Sequence, residues 1–352
     1  MRLTTRLLLL VLVLVTAVAI VFSYYHQRAA EPYKGYPGEE AFLTVSPGEP
    51  SASIAKALKD DGIIKDERLF LVALRFQGLT AQLQAGEYRF SGPASTLDVI
   101  ARLVEGDVYY VSVTIPEGLT LIETAELLSE RGLGEAKALA QAFSRGELVA
   151  RLDPEAQDLE GYLYPETYRF RRRPAPDEVA RAMVSRFKSV FDASRRQKAE
   201  ARGMDVREVI TLASVVEKET GRPDERPIIA SVFWNRLKRR MPLQSDPTVI
   251  YELKRKGEFD GNLRRAHLKM ESPYNTYLLS GLPPGPIASP GSHSIDAVLF
   301  PADTDYLYFV SKNDGSHHFS RTLREHSAAV RKYQLEYFQS RRRSRQRGAG
   351  PS

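Results

Sequence analysis

Cysteine is absent from the 352 residues, which removes disulfide frameworks, thiolate zinc sites and cysteine nucleophiles at once. The absence does not fix a compartment, because a cysteine-free chain folds in either redox setting. Other familiar chemistries are missing as well. No G-x-S-x-G elbow or phosphate-binding P-loop occurs. The six histidines never take up H-E-x-x-H or another zinc-ligand spacing, and the adjacent His317 and His318 suit a strand with one side chain in and one out. Neither a metal nor a cofactor is expected. The single tryptophan, Trp234, lies in a helical pattern where packing is its expected role. A basic body is lacking too. Of the formal charge of +6, Arg341, Arg342, Arg343, Arg345 and Arg347 supply five units from the segment RRRSRQRGAGPS, which reads as a disordered basic tail over 341–352. Without them the chain is close to neutral, so no nucleic-acid partner is expected.

What is present begins with an apolar run. From Leu7 to Tyr25 no residue is charged, and these nineteen residues, at about 1.5 Å each, just cross a hydrocarbon core of about 30 Å. Arg2 and Arg6 precede the run, and Tyr24 and Tyr25 close it where an interfacial aromatic belt belongs. A cleaved signal peptide is the rival reading, but the run is longer than a usual signal core and no clean A-x-A site follows. The expectation is a single-pass anchor over residues 7–25, with residues 1–6 cytoplasmic and everything after the anchor extracytoplasmic.

Residues 26–40, rich in proline and glycine, read as a linker. The stretch 41–115 alternates short strands (Phe42–Val45, Gly86–Phe90, Val108–Ile115) with helices that begin near Ser51 or Ser53, at Asp66 and at Ser95 or Thr96. It predicts a small α+β unit. An internal echo starts in it and continues past its end: TVSPGEPSASIAKALKDDGII and VTIPEGLTLIETAELLSERGL both read strand, turn, helix, glycine. Such units resemble LysM-type glycan-binding modules, which pair a short sheet with two helices; a plain spacer domain is the alternative. Residues 116–155 form a connecting, largely helical region, and 156–340 a second domain. There Asp177–Arg202 predicts one charged helix, and Asp205 with Glu208 a capping-box start for the next. Pro227–Lys238 predicts a helix packed against it. Turn-rich loops follow: 242–251, 274–277, 281–287 and 289–291. A strand over 305–310, a hairpin partner beginning at His317 and a helix over 326–338 close the body.

One carboxylate stands out. In Ile210–Thr220 (ITLASVVEKET), a helical period places Leu212, Val215 and Val216 on the side of Glu219 and puts Glu217 opposite. A carboxyl group on an apolar stripe, in the last helical turn, is pushed toward its protonated form by desolvation and by the negative end of the helix dipole. General-acid cleavage of a glycosidic bond needs such a group. A structural glutamate paired with a buried arginine fits the pattern equally well. Glycoside hydrolases commonly use two carboxylates, yet none of Glu160, Glu166, Asp246 and Glu217 makes a compelling partner. Asp246 precedes Pro247 and Thr248 in what reads as a turn. The aromatic segment Glu160–Tyr168 suits a sugar-stacking ledge.

Together ASVVEKET (213–220), SVFWNRL (231–237), LQSDPTVIY (243–251), YNTY (274–277), GLPPGPI (281–287), SPG (289–291), YLYFV (306–310) and EGYLYPETY (160–168) make the chain resemble the MltG/YceG family of endolytic murein transglycosylases, over about residues 40–340. The resemblance implies an α+β protein with an N-terminal transmembrane helix, a LysM-like subdomain and a lysozyme-like, mainly helical catalytic domain with a small sheet. It implies a lyase that cleaves the β-1,4 bond between N-acetylmuramic acid and N-acetylglucosamine without water. One glutamate serves as acid and then base, leaving a 1,6-anhydro end and terminating nascent strands. Lysozyme-related transglycosylases carry their acid as Glu-Ser at a helix end, and Lys218-Glu219-Thr220 matches that better than Val216-Glu217-Lys218, so Glu219 is the expected catalytic residue. Gln244, Asp246, Tyr274, Asn275 and Tyr277, with Glu160 and Tyr168 from another wall, are the expected glycan contacts. By the same resemblance, the protein sits in the inner membrane and its partners are peptidoglycan strands and cell-wall glycan polymerases of the penicillin-binding class. A non-catalytic peptidoglycan-binding scaffold and a hydrolase using Asp246 are the alternatives.

Overall fold

The computed structural model describes residues 3–337 and 339; the basic segment 341–352 and Arg2 lie outside the described residues. The chain is a mixture of helices and small sheets that divides into two compact units, residues 1–111 with 169–172, and residues 112–168 with 173–352.

In the first unit, α1 (Leu3–Ala30) is one unbroken helix. Its stretch Leu8–Ala30 is long and apolar enough to cross a membrane. The helix runs five residues beyond Tyr25, into the segment read as linker, and its end is packed: Ala29 is buried. β1 (Ala41–Val45) pairs antiparallel with β2 (Gly86–Phe90), with Leu43 opposite Tyr88. Strand alternation sends Leu43, Val45, Tyr88 and Phe90 into the core. There they meet α2 (Ser51–Asp60), α3 (Glu67–Phe76) and α4 (Thr96–Glu105). Asp66 caps α3 through the Arg68 and Leu69 amides, and Ser95 with Asp98 forms a reciprocal capping box on α4.

The strand expected over 108–115 is shorter, β3 (Val111–Thr114), and it does not extend the β1–β2 sheet. It pairs instead with β4 (Thr167–Phe170), a pairing continued by the hydroxyls of Thr114 and Thr167 at 2.8 Å and by the Ile115 amide donating to the Glu166 carbonyl at 3.0 Å. The two echoing segments do share a local fold, β1–α2 and β3–α5 (Leu121–Glu130), each followed by a glycine of positive φ, Gly62 and Gly132. They nevertheless lie almost wholly in different compact units.

The second unit is mainly helical. After α6 (Ala136–Phe143), the single charged helix expected over 177–202 is two: α7 (Pro176–Val190) and α8 (Ala193–Ala201), separated where Asp192 caps the second through the Arg195 amide. At the centre lies α9 (Val206–Glu219), which starts at the Asp205–Glu208 capping box. Every residue from Val209 to Val216 is buried, so α9 is a core helix rather than one with a single apolar stripe. α8, α10 (Arg226–Lys238), α11 (Asp246–Arg255) and α12 (Ser292–Leu299) pack around it. A hairpin, β5 (Tyr308–Ser311) and β6 (His317–Ser320), pairs Phe309 with Phe319. α13 (Leu323–Val330) follows and continues as a π-helical segment over Arg331–Glu336.

Candidate active site

The buried helix α9 ends at Glu219, and Thr220 leaves it with extended backbone. At that end a cleft of about 390 Å³ opens, lined by Glu219, Arg236, Gln244, Asp246, Tyr277 and Tyr308, with Leu243, Phe309, Leu323 and His326 completing it. Three elements aim at Glu219. The first is the turn entering α11. Ser245, itself buried, donates its hydroxyl to Glu219 Oε1 at 2.5 Å. Asp246 begins α11; the sequence read it as a turn, but Pro247 in the first helical turn is a good helix starter, since its missing amide has no intrahelical acceptor there. The Asp246 carboxylate does not fold back on its own backbone. It accepts the Tyr277 hydroxyl at 2.6 Å, and burial together with that bond holds the phenol well above its ordinary pKa, as a donor.

The second element is the loop 274–277, which fixes the first. The Gln244 amide donates to the Thr276 carbonyl and the Ser245 amide to the Thr276 hydroxyl, each at 3.0 Å. Thr248 and Thr276 share a further bond at 2.9 Å. Gln244 is held at φ 49°, a left-handed conformation that an ordinary side chain adopts at a cost of about 1–3 kcal/mol and that gathers at functional sites. The third element is α10. Its Arg236 is buried, donating from Nε to the Leu307 carbonyl at 2.7 Å and from Nη1 to the Leu243 carbonyl at 2.8 Å, with its guanidinium 5.2 Å from the centre of the Tyr308 ring.

Burial raises the Glu219 carboxyl to about 7; the Ser245 bond and the Arg236 charge oppose that rise, while Asp246 adds to it. The group therefore exchanges its proton near neutrality, as an acid that must afterwards act as base requires. His326 stacks on Tyr308 at 5.2 Å, and burial and the Arg236 charge hold its pKa below the ordinary imidazole value.

Glu217, two residues earlier, turns into a different environment. Its carboxylate takes Arg226 at 2.7 Å and the Gly291 amide at 3.0 Å, and Glu117 approaches the same guanidinium at 3.3 Å. It is a buried structural charge.

Of the seven expected glycan contacts, Gln244, Asp246 and Tyr277 line the cleft with Glu219. The other four are not among its lining residues. Asn275 is fully buried and braces its loop, donating to the Leu268 and Met270 carbonyls at 3.1 and 2.7 Å. Tyr274 packs on Tyr251, ring centres 5.0 Å apart. Glu160 is buried where it accepts the Leu121 amide at 3.1 Å and the Tyr251 hydroxyl at 3.3 Å, and burial lifts it to about 8. Tyr168 donates its hydroxyl to the Tyr164 carbonyl at 2.6 Å. Asn275, Glu160 and Tyr168 spend side-chain polar atoms on the fold, and Tyr274 spends its ring. Sequence reasoning missed Arg236, Ser245, Tyr308 and Phe309, though all four stand inside the recognised segments SVFWNRL, LQSDPTVIY and YLYFV. Nothing in the sequence pointed to Leu323 or His326.

A partly buried carboxyl group at the end of a core helix, in a polar cleft with one arginine and the Asp246 carboxylate, defines an acid–base site. Residues 43–332 match the model of the YceG-like family, and the chain belongs to that family. An endolytic murein transglycosylase of Bacillus subtilis (strain 168) is 33% identical over 316 residues, covering 83% of this chain and 84% of that protein. One of Streptococcus pneumoniae serotype 2 (strain D39) is 28% identical over 313 residues, 79% of this chain but 55% of the longer relative. The crystal structure of a YceG-like protein from Listeria monocytogenes is similar with a TM-score of 0.56 at 32% identity, covering 82% of this chain and 98% of that one.

Proposed function

We propose that the protein is a membrane-anchored peptidoglycan lytic transglycosylase, a lyase that cuts glycan strands internally with Glu219 as its only acid and base. The observation that carries this reading is the position of Glu219, in the polar cleft with a pKa of about 7. The relatives named endolytic murein transglycosylases supply the substrate class.

Protonated Glu219 donates to the glycosidic oxygen that joins N-acetylmuramic acid to N-acetylglucosamine. The bond from C1 to that oxygen breaks and positive charge develops on the muramic ring. The Glu219 carboxylate then takes the proton of the C6 hydroxyl of the same sugar, and that oxygen closes on C1. The proton lost in the first half is regained in the second, and no water is consumed. Arg236 places a fixed positive charge beside the carboxylate while it is ionised, and the Ser245 hydroxyl orients it. Gln244, Asp246 and Tyr277 are the glycan contacts. Unit 1 is the LysM-like part, held at the inner membrane by α1, with the cleft on the extracytoplasmic side, where it cuts nascent strands beside the glycan polymerases.

Asp246 in the same cleft favours a second reading, a hydrolase with two carboxylates. Incubating the full-length protein in detergent micelles with purified glycan strands, then weighing the products, separates the two. Muramic ends lighter by one water support the lyase. Reducing ends support the hydrolase, and unchanged strands would leave only a binding scaffold.

A further inference from the structure

α1 does not end where its apolar run ends. Phe22, Tyr25, His26 and Ala29, spaced i, i+3, i+4, i+7, form a stripe that shares an apolar groove with Leu69, Val72, Ala73 and Phe76 of α3, spaced in the same way. The rings of Phe22 and Phe76 meet edge to face at 5.7 Å. Since the helix is unbroken to Ala30 and Ala29 is buried, no flexible joint separates the apolar run from unit 1.

That geometry fixes a depth. Tyr24 and Tyr25 are exposed aromatics at the end of the run, where tyrosines mark the boundary between acyl chains and headgroups. Phe22 lies three residues before Tyr25, about 4.5 Å deeper along a helix axis. A side chain that touches Phe22 lies at that boundary whenever α1 spans a bilayer. Phe76 touches it and is 63% exposed. Beside it Leu71 and Val72 are half-exposed, and Arg75 is exposed with a stem long enough to lay its guanidinium among headgroups.

We propose that the C-terminal end of α3, with Phe76 at its tip, is a bilayer-contact surface that seats unit 1 in the headgroup–acyl boundary beside α1. The inference rests on the reading of α1 as a spanning helix, and it adds that unit 1 is held against the lipid at a second point instead of swinging on a linker. An apolar residue left exposed in water is explained by the phase that covers it.

The absence of cysteine makes the test clean. Single-cysteine variants Phe76→Cys and Gln77→Cys, with Leu12→Cys in the apolar run and Asp107→Cys in the loop after α4, are each nitroxide-labelled in the full-length chain. They are reconstituted into vesicles of phosphatidylcholine and phosphatidylglycerol. Collision with dissolved oxygen is compared with collision with a water-soluble nickel chelate. The expected result is a ratio severalfold higher at 76 and 77 than at 107, and highest at 12. A high ratio at 12 with 76 and 77 indistinguishable from 107 would overturn the contact surface and leave the anchor intact. A low ratio at 12 as well would overturn both. Gln77 is exposed at the end of the helix, so its label reads the same depth with Phe76 in place.

Discussion

At the scale of single residues, Glu219 controls the pH response. Its carboxyl is raised to about 7 chiefly by burial, against the pull of Ser245 and Arg236. The first chemical step needs the protonated form, so kcat/KM on glycan strands is expected to fall as pH rises through about 7. Glu219→Gln, which keeps the shape and cannot cycle a proton, is expected to lose on the order of 10²–10⁴-fold in kcat. Retention of full activity would end the assignment. Ser245→Ala tests the environment. The Ser245 bond favours the charged form, so its loss is expected to move the alkaline limb upward; a limb that stays put or moves down contradicts the geometry. The same shift appears in stability. A carboxyl whose folded pKa lies above its unfolded value of 4.5 contributes stability that is fully present below pH 4.5 and is lost as pH rises through about 7. Glu219→Gln is therefore expected to flatten the stability-versus-pH curve over that window by up to about 3 kcal/mol, measured by urea unfolding at several pH values.

At the scale of elements, the end of α9 separates two glutamates that differ by two positions. About 200° of helical rotation lies between Glu217 and Glu219, enough to send one to Arg226 and the other to the cleft. Removing one partner of a buried ion pair leaves the other charge uncompensated, so Glu217→Gln is expected to destabilise the fold by about 3 kcal/mol while the folded fraction keeps most of its activity. A variant as stable as the parent but inactive would reverse the roles given to the two residues. That contrast was legible from helical period alone, because rotation survives whether one face of a helix is covered or all of it. What period could not show was that α9 is buried on every side, since a core helix and an amphipathic one share the stripe. α11 stayed hidden for a related reason. Its start, Ser245-Asp246-Pro247, carries turn residues that also begin helices, and only the packing of Thr248, Val249 and Leu253 decides between the two. The site was legible in the same measure. Polar residues in a recognised segment were read as facing sugar, but Asn275 and Glu160 satisfy buried backbone amides and carbonyls, a demand that exists only once loops meet in space. Arg236 is the converse case. A cation late in a helix looks like a solvated charge favoured by the dipole, yet here it is buried against carbonyls from two loops.

At the scale of the whole molecule, the boundary between anchor and body is not where composition changes. The charge-free run ends at Tyr25, but the helix continues to Ala30 and becomes part of the core of unit 1. A soluble fragment that begins after the helix strips Phe22, Tyr25, His26 and Ala29 from the faces of α3 and α4. Those side chains cover on the order of 100 Å² of apolar surface, worth about 2–3 kcal/mol. A fragment beginning at Ile20 is therefore expected to hold unit 1 more stably, by about that amount, than one beginning at Glu31. Hydrogen exchange reads the difference locally: amides of α3 and α4 should exchange faster in the shorter fragment, while those of α9, in the core of the other unit, serve as the internal reference. Equal protection of α3 in the two fragments would mean that the packed end of α1 contributes nothing to unit 1, and would remove the rigid connection on which a fixed depth for Phe76 depends.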